Sequence, residues 1–99
     1  MSVEAAQQAL EEGRPQLALQ LIREVLREGR GDASSHYLGA EALRDLGALE
    51  RAETWYRRAL QLEPDFSSAL SGLGCVLFDR LRFREANELA RSAIRADDG

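Results

Sequence analysis

The sequence has no lysine, and every one of its thirteen basic residues is arginine. On solvated helices that usage has no structural meaning; it points to a GC-rich, bacterial genome. There is one cysteine, Cys75, so no disulfide can close within the chain and a reducing compartment is expected. One cysteine and one histidine, His36, are too few to hold zinc, and no metal or cofactor is expected. No apolar run approaches the roughly 20 residues that a membrane-spanning helix needs, so no membrane partner is expected. The opening MSVEAAQQALEEG lacks the basic start and apolar core of a signal peptide. A soluble, cytoplasmic protein is the expectation.

Positive charge is also in deficit. The formal net charge is −4, whereas a nucleic-acid surface wants a basic stripe, so no nucleic-acid partner is expected. Cys75 has no histidine placed as its base, and no triad, metal set or phosphate loop can be assembled. The chain is therefore read as non-catalytic. Gly72-Leu73-Gly74 resembles the start of a dinucleotide fingerprint, but it sits inside a helical pattern with no strand before it, and the third glycine is absent. The composition itself is globular, at 44% hydrophobic and 30% charged, and 99 residues make one domain.

What the chain does have is repetition. Ala6, Ala40 and Gly74 are equally spaced, and Ala18, Ala52 and Ala86 keep the same step. Val25, Ala59 and Ala93 share it too, as do Leu26, Leu60 and Ile94. A common step in four columns is the signature of stacked repeats. Within the second unit His36, Gly39, Ala40 and Leu43 fall on one helical face, Gly47 interrupts, and Leu49, Ala52, Tyr56, Ala59 and Leu60 resume on a second helix. Pro64 ends that helix, and Asp65 or Ser67 is expected to cap the next. In the first unit Gly13 makes the turn and Pro15 sits in the first turn of the second helix, where its missing N–H costs nothing. The alanine columns let helix axes approach closely. Leu43, Leu49, Tyr56, Leu60, Leu77 and Phe83 fill the space around them, and Trp55 is read as a helix-packing residue. No single pair encloses its own apolar face, so the pairs must stack.

This spacing, and above all HYLGAEALRDLGALERAETWYRRALQLEP with Ala40, Gly47, Ala52, Ala59, Leu60 and Pro64, resembles the tetratricopeptide repeat. The resemblance covers essentially the whole chain. His36 stands where the family often has Trp, Leu81 stands where the first two units have Gly13 and Gly47, and the first unit lacks the terminal Pro. The resemblance implies an all-α fold, a right-handed superhelical stack of three antiparallel helix pairs. It forms one domain over residues 1–99, with repeats at approximately 1–32, 33–66 and 67–99. It also implies a non-catalytic protein- or peptide-binding scaffold whose first helices line a concave groove.

Helical spacing then selects the residues facing that groove. They are Val3, Gln7, Leu10 and Glu11; Ser34, Tyr37, Glu41, Arg44 and Asp45; and Ser68, Ser71, Cys75, Phe78 and Asp79. The candidate ligand-groove set is Gln7, Leu10, Glu11, Tyr37, Glu41, Arg44, Cys75, Phe78 and Asp79. An exposed Glu–Arg stripe is usually only solvated surface. Tyr37 and Phe78 stand out because aromatics supply much of an interface's energy, although an aromatic at helical spacing can also be core. His36, on the apolar face, is read as a packed side chain.

Chaperone adaptors of this family clamp a ligand's C-terminal carboxylate with basic and amide side chains. The matching positions here are Val3, Gln7, Leu38, Ser68 and Gly72, none of them cationic. Glu11, Glu41, Asp45 and Asp79 make the groove acidic, so a neutral or basic protein segment is the expected partner. A second reading is a structural or oligomerisation helical arm excised from a larger multidomain protein, such as an enzyme. On the final helix, Phe83, Leu89 and Ile94 are expected to lack the cover that a following pair gives Leu49, Trp55 and Leu60. A weak homodimer through that helix is expected.

Overall fold

The computed structural model describes residues 3–80 and 82–98, the side chains of residues 83, 84, 86, 97 and 98 excepted. Its elements are six helices: α1 (Val3–Glu11), α2 (Pro15–Arg27), α3 (Ala33–Asp45), α4 (Leu49–Leu62), α5 (Ser67–Asp79) and α6 (Phe83–Asp98). No strand occurs among the described residues.

Local chemistry sets the helix ends. Gly13 and Gly47 turn the chain between α1 and α2 and between α3 and α4, with φ of +72° and +81°. A side chain would be strained there, so glycine is the residue that reverses the chain. The corresponding Leu81 lies outside the described residues. Pro15 is at the start of α2. Asp32 caps α3, its carboxylate accepting from the Ser35 backbone N–H at 2.9 Å and from the Ser35 hydroxyl at 3.0 Å. At α5 the expectation fails. Neither Asp65 nor Ser67 is the cap; Phe66 holds that position and makes no side-chain cap hydrogen bond.

The alanine columns lie at the helix crossings. Ala6, Ala18, Ala40, Ala52 and Ala59 are fully buried. Ala86 falls outside the described side chains. Two apolar clusters form around these contacts. The smaller joins Ala6, Leu21, Ile22 and Leu38. The larger includes Leu43, Tyr56, Leu73 and Leu77. Each fully buried side chain of this size stabilises the fold by about 1.5–3 kcal/mol.

Each helix touches the next in sequence. In addition α1 touches α3 and α3 touches α5, while the even-numbered helices make no such contacts with one another among the described residues. The stack is thus tighter along its odd helices, which line its inner face.

One expectation about covering is corrected and another extended. The Trp55 ring lies so close over Gly39 of α3 that a methyl group there would collide with it. Trp55 thus leans on α3 through the slot the glycine leaves, as well as packing against the larger cluster, to which α5 contributes Leu73 and Leu77. Leu89 is half-buried against the larger cluster and so is covered, unlike the expectation. Ile94 remains 62% exposed. Phe83's side chain lies outside the described set.

Candidate protein-interaction surface

The inner face opens into a polar slot between α3 and α5. It holds about 360 Å³ and is lined by Tyr37, Glu41 and Arg44 from one helix and Ser67, Ser68, Ser71, Gly72 and Cys75 from the other. Tyr37 forms part of the wall. It is half-buried, with its ring centroid 5.1 Å from that of Phe66 and 6.1 Å from that of Tyr56. Glu41 is held from both sides. The buried Tyr56 hydroxyl donates to it at 2.5 Å, and Arg44 donates to its other oxygen at 3.3 Å. Burial raises the pKa of the Tyr56 phenol, reinforced by the hydrogen bond to Glu41 and the carboxylate's charge. Burial pulls the Arg44 guanidinium the other way, but Tyr56 and Glu41 beside it prevail and hold it above its ordinary range.

Ser71 and Cys75 also line a second pocket, of about 490 Å³, between α5 and α6. Gly74 and Ala90 form part of its lining. Phe78, Asp79, Asn87 and Ile94 complete it. Phe78 is 59% exposed and Ile94 62%. Asp79 is the charged residue of this lining and is exposed. The two pockets thus make one surface, polar on the α3 side and apolar on the α6 side.

A family model described as Tetratricopeptide repeat matches residues 3–65. The chain belongs to the tetratricopeptide repeat family. Its six helices fit about three repeats. Tetratricopeptide repeats are generally protein–protein interaction modules, and the fold is typically non-catalytic. No curated protein matches this chain.

In this tetratricopeptide stack the candidate groove residues do not all gather at one place. Tyr37, Glu41, Arg44, Cys75, Phe78 and Asp79 line the joined pockets. Gln7 and Glu11, both exposed, lie on α1 away from them, and Leu10 is half-buried against the core. Leu38, matched to the chaperone-clamp pattern, is buried in the smaller cluster. Gly72 is likewise buried, beneath the Tyr56 ring. Neither presents a side chain to the groove. Sequence reasoning missed Asn87 and Ala90, because it sought ligand contacts on first helices alone. The signal was present in the repeat itself: Ala90 stands where the preceding unit has Tyr56.

An ion cluster lies between α4 and the start of α6. Glu53 accepts from Arg57 at 3.1 Å, Arg80 at 2.5 Å and Arg82 at 3.0 Å, and Glu85 accepts from Arg82 at 2.6 Å. Burial pushes the Glu53 carboxyl up, but its hydrogen bond from Arg57 and the charges of Arg82 and Arg80 hold it below its usual range. The cluster ties consecutive repeats together, and its charges are already engaged. No group of three or more metal-ligating side chains occurs among the described residues, and no described helix is long and apolar enough to cross a membrane.

Proposed function

We propose that residues 1–99 act as one non-catalytic interaction module, with repeats at about 1–32, 33–66 and 67–99, that binds a protein or peptide segment along the inner face. The observation that carries this reading is the junction at Ser71 and Cys75, where a polar slot runs into an apolar pocket. A bound segment gains backbone hydrogen bonds on one side and buries an apolar side chain on the other. Glu41 is matched by Arg44, so Glu11, Asp45 and Asp79 carry the exposed negative charge of this face. The module accordingly favours neutral or basic segments. The exposed, free thiol of Cys75 suits a reducing, cytoplasmic setting.

The test is calorimetric titration with peptides of matched length and opposite charge. Binding of basic or neutral peptides, weakened by Ser71→Trp, is expected. Micromolar affinity for a peptide ending in acidic residues and a free carboxylate would overturn the charge preference. A second reading, that of an oligomerisation arm with a weak homodimer through α6, is favoured by the exposure of Ile94. Light scattering across a concentration series separates the two.

A further inference from the structure

The turn inside each helix pair closes in the same way. Arg14 donates its backbone N–H to the Ala9 carbonyl at 2.8 Å, Ala48 donates to Leu43 at 2.9 Å, and Arg82 donates to Leu77 at 2.8 Å. The side chains that tie these turns to the preceding repeat are not the same. Positions 19 and 53 are equivalent, as are 46 and 80, and 48 and 82, each separated by one repeat. At the first step the residues are Leu19, Leu46 and Ala48. Leu19 and Leu46 line one hollow, and Ala48 packs against the larger apolar cluster, to which Leu19 belongs. At the second step the residues are Glu53, Arg80 and Arg82, joined by ion pairs at 2.5 Å and 3.0 Å. An apolar clasp has become an ionic one, with every member changed together. The third unit also has Leu81 where Gly13 and Gly47 stand, and the residues on either side of it are these two arginines.

The place of the clasps gives them their effect. Successive even-numbered helices make no direct contact with one another among the described residues. The clasps reach across this gap, from α4 back to α2 and from α6 back to α4. Arg57 on α4 and Glu85 on α6 extend the second one, bonded to each other at 3.3 Å.

The two clasps answer differently to dissolved ions. The Glu53 side chain is only 13% exposed, but those of Arg80 and Arg82 are 32% and 39% exposed. The guanidinium groups therefore remain open to screening, and the Debye length shrinks to about 3 Å at 1 M salt. An apolar clasp is indifferent to screening. Protons are the weaker trigger. Against the effect of burial, Arg57, Arg82 and Arg80 hold the Glu53 carboxyl below its usual range, so the clasp stays charged through neutral pH.

We propose that Glu53, Arg80 and Arg82 form a salt-operated hinge that seats α6 on the preceding repeat, closed at low ionic strength and loosened at high, while the equivalent joint between α2 and α4 stays closed. α6 supplies Asn87, Ala90 and Ile94 to the pocket of about 490 Å³, so the hinge sets the seat of that pocket's α6 wall. Control of binding through that wall rests on the interaction-module reading; the hinge itself rests on the ion geometry.

The experiment is residue-resolved amide hydrogen exchange by NMR on the full chain, from 50 mM to 1 M potassium chloride. The amides compared are those of Arg82 and Ala48, which close equivalent turns. In the wild type, exchange at Arg82 should quicken roughly three- to tenfold over this range, as expected for losing ion pairs of this exposure, with Ala48 unchanged. Glu53→Gln keeps the shape and removes the charge, so its Arg82 amide should exchange fast at low salt and show no further salt effect. The triple variant Glu53→Leu, Arg80→Leu, Arg82→Ala installs the first step's clasp at the second; the amide at position 82 should be slow at every salt concentration. Circular dichroism verifies each fold. Equal quickening at both wild-type turns would mean that salt acts on the whole fold, and a flat profile at Arg82 would mean that the clasp holds nothing; either result overturns the hinge. Salt sensitivity that persists in Glu53→Gln or in the triple variant overturns it too, by placing the sensitivity in other charges. The wild-type series decides by itself should a variant fail to fold. Because no ligand enters the measurement, failure of the hinge leaves the interaction-module reading standing.

Discussion

Replacing Gly72 by alanine sets two effects of opposite sign against each other. Glycine in a helix interior is less favourable than alanine by about 1 kcal/mol, so on propensity alone the substitution stabilises α5. The new methyl group, however, collides with the Tyr56 ring. That ring has nowhere to go: Tyr56 is fully buried, its hydroxyl is bonded to Glu41, and Tyr37 flanks it. Overpacking of such a site costs about 1–3 kcal/mol, and the fixed ring places this case at the upper end, leaving a net loss of about 2 kcal/mol. In a domain of this size that lowers the melting temperature by about 8–16 °C. Gly39→Ala is the control. It meets the Trp55 ring, which is half-buried where Tyr56 is fully buried, so a smaller net loss is expected. Urea denaturation gives both values, and combining Gly72→Ala with Tyr56→Leu should recover at least about 1 kcal/mol of coupling. A Gly72→Ala variant as stable as the wild type would show that the Tyr56 ring is free to move.

Three further outcomes follow from the same contacts. Ala52→Leu, at a fully buried helix crossing, should destabilise the fold by about 1–3 kcal/mol in a thermal melt. Asp32→Ala removes the α3 cap and should cost about 1 kcal/mol, with Asp32→Ser restoring most of it in the same urea titration. The folded state holds the Tyr56 proton above the ordinary phenol value of 10.0, so this stabilisation is whole below pH 10 and drains away as pH rises beyond it. Urea midpoints measured from pH 8 to 11 should therefore fall more steeply for the wild type than for Tyr56→Phe.

Much of the architecture was legible because it rests on residues with few options. Glycine at positions 13 and 47 marks left-handed backbone, and alanine at 18 and 52 marks close axes. The α5 cap was misread for an instructive reason. Asp65 and Ser67 are both good capping residues, but the repeat places the cap at Phe66, the position equivalent to Asp32. There the position has exchanged capping for packing, since the Phe66 ring lies 5.1 Å from Tyr37. The direction in which Trp55 leans was not legible, because it depends on the empty space above Gly39 and not on Trp55 itself. The acidity expected at Glu41 was overestimated because its pairing with Arg44 and Tyr56 joins three places on two helices.

These misreadings share a cause that bears on the site. Repeats align as columns, and the columns of small residues, read singly, give the stack. The contacts that vary from step to step are pairs drawn from different columns: 22 with 38, 56 with 72, and 41 with 56. Within such a pair one residue's size sets what the other can be, so a change in one column makes sense only against the other. The exchange of Tyr56 for Ala90 removes a ring, and that of Glu41 for Cys75 removes the ring's hydrogen-bond acceptor. Had only the tyrosine changed, the third repeat would carry a second carboxylate at the apolar hollow, in addition to Asp79. With both changed, the hollow is lined almost wholly by apolar groups and keeps its charge at Asp79. The third repeat thus preserves the small-residue spacing of the stack while replacing a self-satisfied polar pair with an open, largely apolar hollow.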